Sequence, residues 1–143
     1  MSQETGQQIL STRSVDLMFE NQLIDQPDFA RRALPAVKSD LVYPAPELYP
    51  LCPPSKPQGW GLGFMISPAV TGRSDSTAHW SGLSNIFWWC DREKGVAGVA
   101  GSQVLPFVDP KVAALWVRVE ESCYAALANI ETAKHGGVAE LER

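Results

Sequence analysis

The residues best suited to chemistry lie together in Ala78-His79-Trp80-Ser81-Gly82-Leu83-Ser84-Asn85, just before the apolar run Ile86-Phe87-Trp88-Trp89-Cys90. An imidazole, two hydroxyls and a glycine form a polar corner that opens onto a buried-type strand. Gly82 would let a ligand approach the backbone closely, and a backbone N–H presented there is one way to meet a developing oxyanion. The competing reading is an ordinary hydrophobic strand preceded by a turn. His79 likewise has two readings: a hydrogen-bonded strand residue, or a group in direct contact with substrate. Ser81 is no obvious nucleophile, because no lysine or second histidine lies near it in sequence.

The elements that must hold this corner follow from periodicity. Gly59-Trp60-Gly61-Leu62-Gly63-Phe64-Met65-Ile66 alternates strictly and predicts one strand, with Trp60, Leu62, Phe64 and Ile66 on one face. Its glycine face leaves room for another element to come close. With no helix following it, this GxGxG is not a phosphate-binding loop. Thr71 to Thr77 reads as a polar loop. Beyond the central strand, Asp91-Arg92-Glu93-Lys94-Gly95 marks a hairpin turn with a left-handed glycine and solvated charges, leading into a strand over 96–105. Trp88 and Trp89 fall on opposite faces, one in the core and one against a packed helix.

Helices flank this sheet. Ser11 is a plausible N-cap for a short helix reaching about Gln22, with Val15, Met18, Phe19 and Leu23 as its buried stripe. Asp25 to Ala30 adds a further helical turn. Asp109-Pro110 starts a long helix with a capping carboxylate and an N1 proline. Val112, Leu115, Trp116, Val119, Cys123, Ala126, Leu127 and Ile130 mark its face, and Arg118, Glu120, Glu121 and Glu131 lie mostly off it. Lys134 and His135 suit the negative end of its dipole, and Gly136-Gly137 should stop it. Between helix and sheet, prolines 35, 44, 46, 50, 53, 54 and 57 break any regular ladder, with Tyr43, Leu48, Tyr49 and Leu51 interleaved. This segment reads either as an ordered loop wrapped over a larger body and shaping a cleft, or as a solvated polyproline spacer.

The expected fold is therefore α+β: an antiparallel sheet of about three strands, a short N-terminal helix and a long C-terminal helix. A helical segment spans 1–30, a proline-rich loop 31–58, sheet strands 59–106 and the C-terminal helix 107–135. The 143 residues fit one domain or a piece of a larger one, and a net charge of −4 gives no footprint for nucleic acid or an anionic membrane. No run approaches the roughly 20 apolar residues of a membrane span, and the polar N-terminus predicts no secretory signal. Cys52, Cys90 and Cys123 are widely spaced and odd in number, which argues against a disulfide framework or a zinc site and for a cytoplasmic, reducing location. No cofactor or metal is expected.

Several landmarks together resemble the C-terminal part of the serine β-lactamase and penicillin-binding-protein superfamily. They are Val15-Asp16-Leu17-Met18-Phe19, Gly59-Trp60-Gly61-Leu62, His79-Trp80-Ser81-Gly82, Trp88 through Gly95, and Gln103-Val104-Leu105-Pro106. Within it, the chain is most similar to class C-like fungal esterases and transesterases, including lovastatin-type acyltransferases. The resemblance implies a partial β-lactamase/transpeptidase-like fold and acyl transfer through an acyl-serine. His79-Trp80-Ser81-Gly82 then corresponds to the family's third active-site box. Leu83 would supply a backbone N–H to the oxyanion hole, and Ser81 a hydrogen bond near the nucleophile. Trp80 stands where many relatives carry lysine, which favours neutral ester or acyl-thioester substrates over β-lactams.

The family's other two boxes are missing. No serine is followed three positions later by lysine, as Ser76, Ser81, Ser84 and Ser102 show, and Tyr43, Tyr49 and Tyr124 have no asparagine two positions on. No complete set of catalytic residues is present, so acyl-enzyme chemistry has no first step. The chain thus resembles the last third of a larger hydrolase, left by a truncated gene or a misplaced start codon and inactive alone. The alternative is a non-catalytic binding module that keeps the sheet. In either case open sheet edges should favour a complementary chain or self-association, and an isolated chain that is marginally stable.

Overall fold

A computed structural model describes residues 6–141 except 33, 34, 46 and 48, with side chains of the last helix described as far as 133. Pro46 and Leu48 therefore lie outside the described residues, as do the side chains of Lys134 and His135. The architecture is α+β. Helix α1 (Thr12–Phe19) precedes strands β1 (Gly59–Trp60), β2 (Met65–Ile66), β3 (Ala78–Gly82), β4 (Ile86–Asp91) and β5 (Val96–Gly101), and helix α2 (Pro110–Leu141) follows them. The strands form one five-stranded sheet in chain order, every neighbouring pair antiparallel.

The sheet has five strands instead of about three because the alternating glycine-rich run forms two strands and the polar corner Ala78–Gly82 is a strand of its own. Gly63 adopts φ +104°, and the chain doubles back so that Gly59 pairs with Ile66 and Trp60 with Met65. Leu62 is thereby exposed at the tip of a hairpin instead of sharing a face with Trp60. The expectation that the glycines admit a neighbour holds at two positions. A Cβ on Gly61 would meet the Met18 carbonyl oxygen, and one on Gly59 the Asn21 side chain. The N–H of Leu62 donates to that Met18 carbonyl at 3.0 Å, and Asn21 Oδ1 accepts the N–H of Trp60 at 3.0 Å.

Ser11 caps α1 as expected, accepting the N–H of Ser14, but the helix ends at Phe19 because Glu20 is extended. The segment 23–31 continues as successive turns rather than a helical turn. Met18 and Phe19 pack with Phe64, Ile66, Ala78 and Trp88 on one sheet face. The other face carries Met65, Phe87 and Trp89 against Trp116 and Tyr124 of α2. Trp88 and Trp89 thus divide between the faces, as alternation requires. Asp109 caps α2 by accepting the N–H groups of Lys111 and Val112. Gly136-Gly137 does not stop that helix, which runs on to Leu141.

The buried stripe of α2 is rotated from the expected one. Leu115 and Ile130 are half exposed, and Trp116, Glu120 and Tyr124, at i, i+4 and i+8, point inward instead. Glu120 is fully buried because Arg73 meets it through Nε (2.7 Å) and Nη2 (3.1 Å), while the Thr71 hydroxyl donates to the same carboxylate. The stretch 71–77 is a polar loop, as expected, but one folded inward: Thr71, Arg73, Ser74 and Thr77 are all buried. Asp91 is also buried and not a solvated turn charge. Its carboxylate accepts from the Ser74 N–H and hydroxyl, the Lys94 N–H and the Tyr124 hydroxyl. Gly95 is left-handed (φ +64°), as expected of the hairpin.

Candidate functional site

Strand β2 ends early, and this defines the candidate site. It meets only His79 and Ala78 of β3, extended by one bond from the Ser67 N–H to the Thr77 carbonyl. Strand β4, by contrast, pairs with every residue of β3 from Ala78 to Gly82. Trp80, Ser81 and Gly82 therefore have a strand on one flank and none on the other. In an antiparallel ladder alternate residues turn their backbone polar groups to the same side. Thr77 and His79 turn theirs to β2, so Ser81 turns its N–H and C=O to the open flank. Leu83, exposed, heads the turn that Asn85 closes at φ +54° with its N–H on the Gly82 carbonyl. Nothing lies within 4 Å of a Cβ built on Gly82, so the space beside it is open.

The side chains of this corner divide sharply. His79 is 2% exposed, its Nε2 is 2.8 Å from the Ser67 hydroxyl, and Tyr49 covers it edge-on at 5.0 Å. Burial and the nearby Arg73 charge hold its pKa well below the usual imidazole value, so it is neutral. The hydrogen-bonded strand residue is thus the reading that fits. Ser67 and His79 have the spacing of a nucleophile and its base, but both are buried, and the other imidazole nitrogen has no partner among the described residues to orient it.

Ser81 shares a 2.6 Å hydrogen bond with the Tyr49 hydroxyl. Burial pushes that phenol upward, against its hydrogen bond to Ser81 and the Arg73 charge, so Tyr49 is a poor base. Trp80 packs edge-on against Trp60 at 4.6 Å and tilts against Tyr49 at 5.5 Å. Tyr49 is the residue that sequence reasoning missed. Its place in a proline-rich segment hid a ring that touches three of the four residues of the 79–82 stretch. It also fixes one part of that segment as ordered loop rather than solvated spacer.

The open flank of β3 meets no attacking group among the described residues. Lys56 pairs with Asp75, and Lys94 donates to the Gly72 carbonyl over the Tyr124 ring, so neither activates a serine. Neither of the two described cavities touches residues 79–83. Among the described residues no three His, Cys, Asp or Glu side chains gather to hold a metal, and no helix is long and apolar enough to cross a membrane. Comparison of the chain with protein-family models, curated proteins and solved structures gives no match.

Proposed function

We propose that this chain is the C-terminal portion of a serine hydrolase or acyltransferase related to β-lactamases and penicillin-binding proteins, acting on a neutral ester or acyl thioester. In this reading the sheet is part of a β-lactamase-like fold, and the open flank of β3 at Trp80–Leu83 lines the acyl pocket. The observation that carries it is the early end of β2, which leaves backbone groups of the HWSG stretch free to face a reacting carbonyl. The N–H of Leu83 and that of a nucleophile from another segment would together hold the oxyanion. Trp80 and Trp60 would offer an apolar wall to the acyl group.

The test compares the 143-residue chain with the in-frame product that begins upstream of Met1, using a fluorophosphonate probe and a chromogenic short-chain ester. The longer product should be labelled and turn over ester, and the short chain should do neither. Leu83→Pro, which deletes the proposed donor, should lower kcat of the longer product by about 10²–10³-fold. A labelled serine in the short chain, or full activity of the proline variant, would overturn the reading.

A second reading, a non-catalytic binding module, is favoured by one observation. The larger described cavity, about 770 Å³, is built entirely by this chain and lies away from the 79–83 corner.

A further inference from the structure

That cavity lies where the proline-rich segment folds back onto the end of the sheet. Its position is fixed by backbone bonds: the Tyr43 N–H donates to the Phe107 carbonyl at 2.9 Å, and the Phe107 N–H to the Leu41 carbonyl at 2.7 Å. Phe107 is anchored in turn by stacking on Phe87 of β4. The walls are apolar, formed mainly by Phe29, Val42 and Phe107, and a volume of about 770 Å³ is the size of a small-molecule site.

The charges at its mouth are unequal in their commitments. Asp28 and Glu47 both face Arg31, at 3.5 and 3.8 Å, and Arg31 is itself held by the carbonyls of Cys52, Pro53 and Lys56. Arg32 also lines the cavity, is exposed, and makes no ion pair or hydrogen bond among the described residues. Tyr43 also lines the cavity, and its hydroxyl makes no hydrogen bond among the described residues. An uncommitted guanidinium and phenol lining an apolar chamber suit a molecule with an anionic head and a hydrocarbon body.

We infer that this cavity is a binding site for a medium-chain apolar carboxylate, its hydrocarbon body between Phe29, Val42 and Phe107 and its carboxylate on Arg32 and Tyr43. A guanidinium suits a carboxylate because its planar donors match the two oxygens. The inference does not depend on acyl transfer at the 79–83 corner.

Equilibrium dialysis of the full chain against decanoate and decanol tests it. Decanoate should saturate at one equivalent and bind roughly tenfold more tightly than decanol, the usual effect of one charge-assisted contact. Arg32→Gln should erase that preference while leaving decanol binding as it was. Ala36→Trp, which fills the chamber from an exposed position, should abolish both. Circular dichroism of each variant checks that its fold is kept. Equal affinity for acid and alcohol would overturn the inference. So would a preference that survives Arg32→Gln, binding insensitive to Ala36→Trp, or no saturable binding at all.

Discussion

Glu120 and Arg73 carry opposite charges into the interior beside Trp116 and Tyr124, with side-chain exposures of 0% and 1%. Removing one partner of such a pair leaves the other charged and dry, which costs about 3–5 kcal/mol. Glu120→Ala should therefore lower the urea midpoint severely or abolish cooperative unfolding. The double replacement Arg73→Met, Glu120→Leu should recover much of the loss, because no unpaired charge remains. His79 sets a pH dependence at the same scale. Its folded pKa lies well below the ordinary value, so as pH falls below about 6.5 the unfolded chain takes up a proton that the folded chain refuses. Stability should fall from pH 6.5 to 5 by up to about 1.4 kcal/mol per pH unit, and His79→Gln should flatten that slope. Denaturant titrations across this window measure both effects.

At the scale of elements, α1 and the β1–β2 hairpin depend on each other through a gap with no room for a side chain. Gly61→Ala would place a methyl group against the Met18 carbonyl, which cannot move without lifting the end of α1. Overpacking of this kind costs about 1–3 kcal/mol. The variant should lower the thermal midpoint and increase the exposure of Phe19, read by proteolysis near α1. The same elements show what could be read from the chain. Ser11, Asp109, Pro110 and Gly95 act locally, through caps and a turn, and their roles were legible in the sequence. The glycine-rich run was misread because hydropathy alternation says nothing of direction: a tight turn at Gly63 preserves a period of two while folding one strand into two. Glu120 was hidden for a different reason. A carboxylate faces the core only when a distant arginine meets it, and Arg73 lies 47 positions away. Tyr49, 32 positions from Ser81, escaped in the same way. The spacing of Trp116, Glu120 and Tyr124 was the one available signal, since Glu120 sits one turn from an aromatic residue on each side.

For the molecule as a whole, the two sheet faces are unequally covered. Helix α2 and the Tyr49 loop close one face, while α1 covers only part of the other, around Phe64, Ile66 and Ala78. Ile86 and Val99 stay 41% and 70% exposed there, beside a shallow hollow over Trp88 and Cys90. Strand β5 ends the sheet, and its sequence, Val96-Ala97-Gly98-Val99-Ala100-Gly101, carries no charge to repel another strand. The purified chain should associate as its concentration rises, which light scattering would show. Val99→Lys should shift it toward monomer by placing a charge on this face beside the open edge. A chain that stays monomeric at every concentration, or a lysine variant that associates equally, would contradict this account.

The carboxylate of Asp91 reaches three separate parts of the chain: Ser74 before β3, Lys94 in the hairpin turn and Tyr124 on α2. None of the three can drift away without stranding an anion that the other two have helped to dry. Loop, turn and helix thus share a single fastening, and the corner of the molecule they form must come apart all at once or hold together.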